Sequence, residues 1–190
     1  MVALPDNEAS LIELATAGRF DAFASLYTRH LDAIYRYTYY RTGHTQDAED
    51  LTEQVFIQAW EGLPTYRAVG CAFTGWLYRI AHNLVVDYYR KQKSCGEMIE
   101  LDEGNTTWTT APPESTLDAV IRAEETDRLA AAIACLPEDY QQIISLRFIE
   151  GLGHAEIAGI MEKSETACRA LQHRALAALN RLLSAQEERG

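Results

Sequence analysis

The amino-acid sequence predicts an all-α fold, with two small helical domains joined by a flexible acidic linker and the C-terminal domain a helix-turn-helix. Three observations predict it. Apolar residues recur at three-and-four spacing through most of the first 93 residues and again from Val120 onward, periodicity disappears between Ser94 and Thr116, and no convincing segment alternates with strand period. The expected division is 1–93, 94–117 and 118–190.

A short helix opens around Leu11 to Ala17, and Gly18 breaks it. Asp21 is placed to cap a long helix through Phe23, Leu26, Tyr27, Leu31, Ile34, Tyr35 and Thr38, which Gly43 ends. Thr45 or Asp47 opens the next, with Leu51, Val55, Ile57 and Trp60 on its apolar side and Gly62 and Pro64 as stops. After a loop from Leu63 to Ala72 comes the most informative helix. Its Trp76, Leu77, Ile80 and Leu84 recur at helical spacing, while Arg79, Asn83, Arg90 and Lys91 line another face beside Tyr89.

Between Ser94 and Thr116, Gly96, Gly104, Asn105, repeated Thr and Pro112-Pro113 mark an extended linker. Helicity returns at Asp118 and stops near Pro137. Helices then follow from Glu138 to about Glu150, from His154 to Met161 and from Glu165 to about Ala185. The last two, joined by Glu162-Lys163-Ser164, have helix-turn-helix proportions. Ile157, Ala158, Ile160, Ala167, Leu171, Leu176 and Leu179 are expected to bury this pair.

With 190 residues, 47% hydrophobic and 24% charged, the chain is that of an ordinary globular protein and not a disordered one. Its net charge of -11 argues against wrapping nucleic acid unaided, yet the acids concentrate between Glu97 and Asp127. Both the Arg79–Lys93 face and the Lys163–Arg181 face are locally basic. Such a chain binds DNA weakly alone and needs a partner that supplies most of the phosphate contacts. Cys71, Cys95, Cys135 and Cys168 are scattered without zinc-ligand spacing, which predicts reduced thiols and no metal or other cofactor. No signal segment or apolar run of about 18 residues is present, so a cytoplasmic protein without membrane insertion is expected. The five histidines face no carboxylate or thiol at recognisable spacing and no phosphate-cradling glycine loop occurs, so no catalytic residue is assigned.

Three segments in order, Asp47-Ala48-Glu49-Asp50-Leu51-Thr52-Glu53-Gln54-Val55-Phe56, the Trp76 helix, and Gly151 to Ala158 followed by Ser164 to Leu176, resemble the extracytoplasmic-function (ECF) group of the sigma-70 family. The resemblance spans about Asp21 to Lys93 and Asp118 to Leu183. It implies a factor that binds core RNA polymerase and directs promoter recognition, DNA melting and transcription initiation. Core contact then falls on Asp47, Asp50, Leu51, Glu53, Gln54 and Phe56, facing the clamp of the largest subunit, with the flap of the second-largest subunit a further partner. The family usually has Val-Gln-Glu where this chain has Thr52-Glu53-Gln54.

The resemblance implies that the loop before the Trp76 helix, and that helix's exposed face, take a flipped minus-ten base. Flipping costs a few kcal/mol, and stacking plus edge hydrogen bonds return energy of similar size. Asn83 becomes the base-edge amide, Cys71, Ala72 and Phe73 the pocket wall, and Arg79, Arg90 and Lys91 the backbone contacts. Glu165, Thr166, Arg169, Ala170, His173 and Arg174 are placed toward the major groove of the minus-thirty-five element, where Arg reads guanine. The family often has Gly where Glu162 stands, a turn position at which a left-handed residue costs about 1 kcal/mol. The linker acids imply a run through the polymerase, and an anti-sigma factor is an expected partner. The alternatives are a free-standing helix-turn-helix regulator and an interaction module without DNA function; no heptad seam supports the dimer that the first would need.

Overall fold

The computed structural model describes residues 5, 7–67, 72–95 and 117–187. They form eight α-helices: α1 (Glu8–Thr16), α2 (Phe20–Thr42), α3 (Thr45–Gly62), α4 (Phe73–Cys95), α5 (Leu117–Ala134), α6 (Glu138–Ile144), α7 (His154–Met161) and α8 (Glu165–Glu187). No strand occurs among the described residues. The expected acidic linker lies, from residue 96 to 116, outside the described residues.

Local chemistry sets most of the boundaries. Asn7 caps α1 by accepting the Ala9 amide at 3.2 Å. Asp21 does not cap α2 as expected. It sits in the first turn, held bidentately by Arg19 at 2.9 and 2.6 Å, and Arg19 takes the cap position without a side-chain bond. At the other end Gly43 adopts φ 75° and its amide reaches the Tyr39 carbonyl, a left-handed cap that suits glycine. A single 3-10 turn, Leu63–Thr65, follows α3 where Pro64 forbids continuation. The expected helix from Glu138 to Glu150 is present but changes character: past Ile144 it widens into a π-turn, Ser145–Ile149.

Helices α1 to α4 pack on one another as an N-terminal group and α6 to α8 as a C-terminal group; α5, which leads into the latter, packs more extensively on α2 than on α6 and α8. Between α2 and α3 the buried hydroxyls of Thr38 and Thr52 meet at 2.9 Å, each also bonded to the Ala48 carbonyl, so no polar atom of this contact is orphaned. On α4, Leu77, Tyr78, Ala81 and Val85 are buried, while Trp76 is half-buried with its ring 3.2 Å from where a Cβ on Gly62 would stand. A side chain at 62 would push that indole away.

The buried stripe of α8 is Cys168, Leu171, Ala175 and Leu179. Ala167 and Leu176, expected to be buried, are exposed. They lie on opposite flanks of that stripe, one on each side, and Cys168 and Ala175 are on the face turned to α6 and α7. Ile57 of α3 is likewise exposed, because the buried stripe there runs through Ala48, Leu51, Thr52, Val55, Phe56 and Ala59.

Candidate functional site

Helix α3 presents a polar outer face built from the i, i+3, i+4, i+7 set Asp50, Glu53, Gln54 and Ile57, all exposed. Asp47 sits at its edge and accepts the Tyr88 hydroxyl at 2.6 Å, which ties the face to α4. Leu51 and Phe56 are 4% exposed and point inward. Their burial corrects the expectation that their side chains form part of a contact surface; they hold the helix from behind, Phe56 with its ring 4.6 Å from that of Tyr27. Residue-type reasoning missed Ile57, although its place one turn beyond Glu53 and Gln54 was a usable signal.

Along α4 and the residue before it, Ala72, Asn83, Arg90 and Lys91 are exposed. Arg90 donates to Asp87 one turn back at 2.8 Å, a surface pair that is easily exchanged for another anion. Phe73 is buried, with the rings of Tyr66, Trp76 and His30 each 5.6 Å away, so it anchors the start of α4 and does not line an open wall. Cys71 lies outside the described residues. Arg79 is half-buried, its Nη1 3.6 Å from the Glu162 carboxylate of the α7–α8 turn.

In that turn Glu162 has φ 54° and ψ 39°, the left-handed conformation expected for it. Ser164 opens α8 by accepting the Ala167 amide at 3.2 Å, and His154 of α7 bonds Gln172 of α8 at 2.8 Å, fixing the angle between the two helices. Glu165, Thr166, Arg169, Ala170, His173 and Arg174 are all exposed on the first turns of α8. Arg169 is paired with Glu165 at 3.4 Å, one turn before it.

The two helical groups also meet each other, α5 and the π-turn against α2 and α7 against α4. At the centre of this seam Arg41 is fully buried. Its Nε donates to Gln141 Oε1 and its Nη1 to the Tyr37 hydroxyl, both at 2.9 Å, while its carbonyl accepts the Tyr89 hydroxyl at 2.6 Å. Nη2 has no hydrogen-bond partner. Gln141 is itself pinned by donating to the Ala134 and Leu136 carbonyls, both at 2.8 Å.

Beside this pin, Glu150 accepts the Tyr78 hydroxyl at 2.8 Å and Arg36 Nη2 at 3.0 Å. Burial raises the Glu150 carboxyl above its ordinary value, against the opposing pull of these two donors. Tyr39 donates to Asp127 at 2.6 Å. Burial, and then the neighbouring Arg41 cation, push His82 down to about 4. His82 is therefore neutral at pH 7, and its 3.5 Å approach to Glu138 is a polar contact and not an ion pair.

An all-helical chain with an acid-edged helix, an aromatic and basic helix and a helix-turn-helix is the architecture of a promoter-recognition factor. Residues 26–95 match sigma-70 region 2 and residues 126–179 match sigma-70 region 4. Over 178 residues the chain is 38% identical to the ECF RNA polymerase sigma factor BldN of Streptomyces coelicolor, covering 91% of this chain and 64% of that protein, so it spans somewhat under two thirds of BldN. It is 30% identical over 177 residues to the ECF RNA polymerase sigma factor SigW of Bacillus subtilis, covering 90% of this chain and 94% of SigW. Among solved structures, CnrH in complex with the cytosolic domain of CnrY is similar, with a TM-score of 0.70 and 25% identity, over 92% of this chain and 96% of that one.

The chain belongs to the ECF RNA polymerase sigma factors. Its function is that of a sigma factor in promoter recognition and transcription initiation, and the free-standing regulator is not favoured. Sigma factors are initiation factors and not enzymes. No helix among the described residues is long and apolar enough to cross a membrane.

Proposed function

We propose that the division of labour follows the two helical groups, with residues 1–93 holding core polymerase and the minus-ten element, 94–117 linking, and 118–190 holding the minus-thirty-five element. Asp47, Asp50, Glu53 and Gln54 meet the clamp of the largest subunit, supported from inside by Leu51 and Phe56. Asn83 reads an unstacked minus-ten base beside Ala72 and Cys71, with Phe73 anchoring the loop and Arg79, Arg90 and Lys91 on the strand backbone. Glu165, Thr166, Arg169, Ala170, His173 and Arg174 enter the major groove, and the same C-terminal group meets the flap of the second-largest subunit. The chain performs these steps with no nucleotide hydrolysis of its own, works in the cytoplasm, and is held in check by an anti-sigma factor. The complex of CnrH with the cytosolic domain of CnrY supports the last of these.

The observation that carries the proposal is the exposure of all six α8 positions directly after a helix-turn-helix turn, while Cys168 and Leu171, on the opposite side of the helix, are buried. The test is transcription from a mapped promoter by reconstituted holoenzyme. A well-formed Arg–guanine pair is worth about 1–3 kcal/mol, so Arg169→Ala is expected to lower promoter affinity by about 5- to 150-fold, most on promoters with an intact upstream element. Asn83→Ala is expected to leave that affinity nearly unchanged and to slow strand opening, monitored by permanganate reactivity. Normal transcription by both variants would overturn the site assignment.

A further inference from the structure

His30 stands where an apolar ring would fill the space without burying an unpaired polar atom. It is 7% exposed on α2, and its Nε2 has no hydrogen-bond partner. Two other helices reach it. The Phe73 ring of α4 lies 5.6 Å from the imidazole, inclined at 57°, and the Glu8 carboxylate of α1 lies 3.6 Å from Nε2, beyond hydrogen-bond distance. Glu8 and Arg29 are the charged groups that face the ring, Arg29 with its Nη1 3.9 Å from the same carboxylate, while α4 brings only the apolar Phe73. Burial holds His30 below its ordinary value of 6.5; Glu8 opposes this and Arg29 adds to it. His30 is therefore neutral at pH 7, and what it offers that an apolar ring does not is a proton site.

The ring that rests on His30 holds the start of the minus-ten helix. Phe73 is 2% exposed and is the first residue of α4. The rings of Tyr66 and Trp76 each lie 5.6 Å from it, and these two are 4.8 Å from each other, so three aromatic side chains join the end of the 3-10 turn to the first turn of α4. Helix α1 bears on this cluster at two places. Its Glu8 faces His30, behind Phe73, and its body packs on Leu63–Thr65, directly before Tyr66. Asn83 lies on the same helix as Phe73, so the position of the first turn is passed to the proposed base-reading amide through a continuous α-helix.

We infer that His30 is a positioning residue for minus-ten recognition: its neutral ring seats Phe73 and the first turn of α4, and protonation of that ring, assisted by Glu8 of α1, unseats them and lowers promoter opening. This role rests on the proposed minus-ten reading by α4 and adds to it a residue of another helix and a use for α1. A ring whose proton affinity is lowered by burial binds a proton more readily once it leaves its seat, so each proton taken up favours the unseated ring. The seat is complete above pH 6.5 and weakens as pH falls through the lowered value.

The test uses holoenzyme assembled from core polymerase and the full chain, on a mapped promoter carrying 2-aminopurine in the minus-ten element, with opening read as fluorescence from pH 7.5 to pH 5.5. His30→Phe keeps a ring against Phe73 and cannot take a proton. Opening by the natural chain, divided by opening with His30→Phe, is expected to fall about threefold or more between these limits. Glu8→Gln removes the group that favours protonation, and its profile is expected to move to lower pH than that of the natural chain. The Glu8 side chain is 35% exposed, so this variant keeps the test decisive even if the larger ring at position 30 costs the fold. Binding to core and to minus-thirty-five duplex is expected to be the same in both variants as in the natural chain at each pH. A ratio that stays constant with pH, or a Glu8→Gln profile that superposes on the natural one, would overturn the role of His30. Asn83→Ala, run in parallel, separates the layers. If it slows opening and the pH results fail, only this inference falls; if it opens normally, the reading of α4 beneath it falls too.

Discussion

His82 shows how one side chain couples the seam to pH. It is pressed between Arg41 of α2 and the charged groups Glu138, Asp139 and Lys163 of the C-terminal group, and it is held near a pKa of about 4 against an ordinary value of 6.5. A histidine whose folded pKa is depressed takes up a proton in the unfolded chain first. Its contribution to stability is therefore fully present above pH 6.5 and is lost as pH falls toward 4. Thermal unfolding followed by circular dichroism is expected to show a larger drop in Tm from pH 7 to pH 5 for the natural chain than for His82→Gln. His30, also lowered by burial, and Glu150, raised by burial, are present in both chains and cancel in the comparison. Parallel Tm profiles would show that the His82 ring is not desolvated in the seam. At this same scale, the left-handed Glu162 is legible in advance through the resemblance, because the family's glycine at this turn position marks a backbone conformation that other residues rarely adopt. Arg41 is not legible: nothing in its neighbours along the chain distinguishes a buried arginine from an exposed one, and its partner Gln141 lies 100 residues away.

At the scale of elements, helix existence follows from periodicity, and the helix-turn-helix ends, Met161 and Glu165, fall where capping and spacing predict them. The errors are of facing. Leu51 and Phe56 are core residues and not contact surface, and Ala167 and Leu176 are surface and not core, because a stripe drawn through apolar residues is wider than the true contact line. On α3 the inward set alternates apolar residues with Ala48 and Thr52, so hydrophobicity alone misplaces its centre by part of a turn. This predicts different outcomes for two substitutions on one helix. Phe56→Ala is expected to cost about 3–5 kcal/mol in urea unfolding, the range for deleting a buried aromatic ring. Asp50→Arg, on the exposed face, is expected to leave unfolding nearly unchanged. A Phe56→Ala chain as stable as the natural one would place that ring at the surface, where the expected polymerase contact would put it.

For the whole molecule, the helices and their order are visible in the sequence. Their packing against each other is not. A continuous buried apolar cluster runs from Leu11 in α1 to Leu179 in α8, and polar contacts such as Arg36–Glu150 and Tyr39–Asp127 join residues 114 and 88 positions apart. Long-range complementarity of this kind leaves no periodic trace, because each partner satisfies its local helix equally well without the other. The acidic excess that argues against DNA binding gains a use in this arrangement: part of it, at Glu150 and Glu162, lies against arginines of the N-terminal group.

The central claim is that this chain joins core RNA polymerase through the outer face of α3. Fluorescence anisotropy of the labelled full chain titrated with core enzyme tests it most directly, with Asp50→Arg/Glu53→Arg, both exposed and neither needed for the fold, as the comparison. Tight binding by the natural chain, weakened about 30-fold or more in the variant, is the expected result for loss of an interface centre worth at least about 2 kcal/mol. Equal binding by the folded variant, or none by the folded natural chain, would contradict the account.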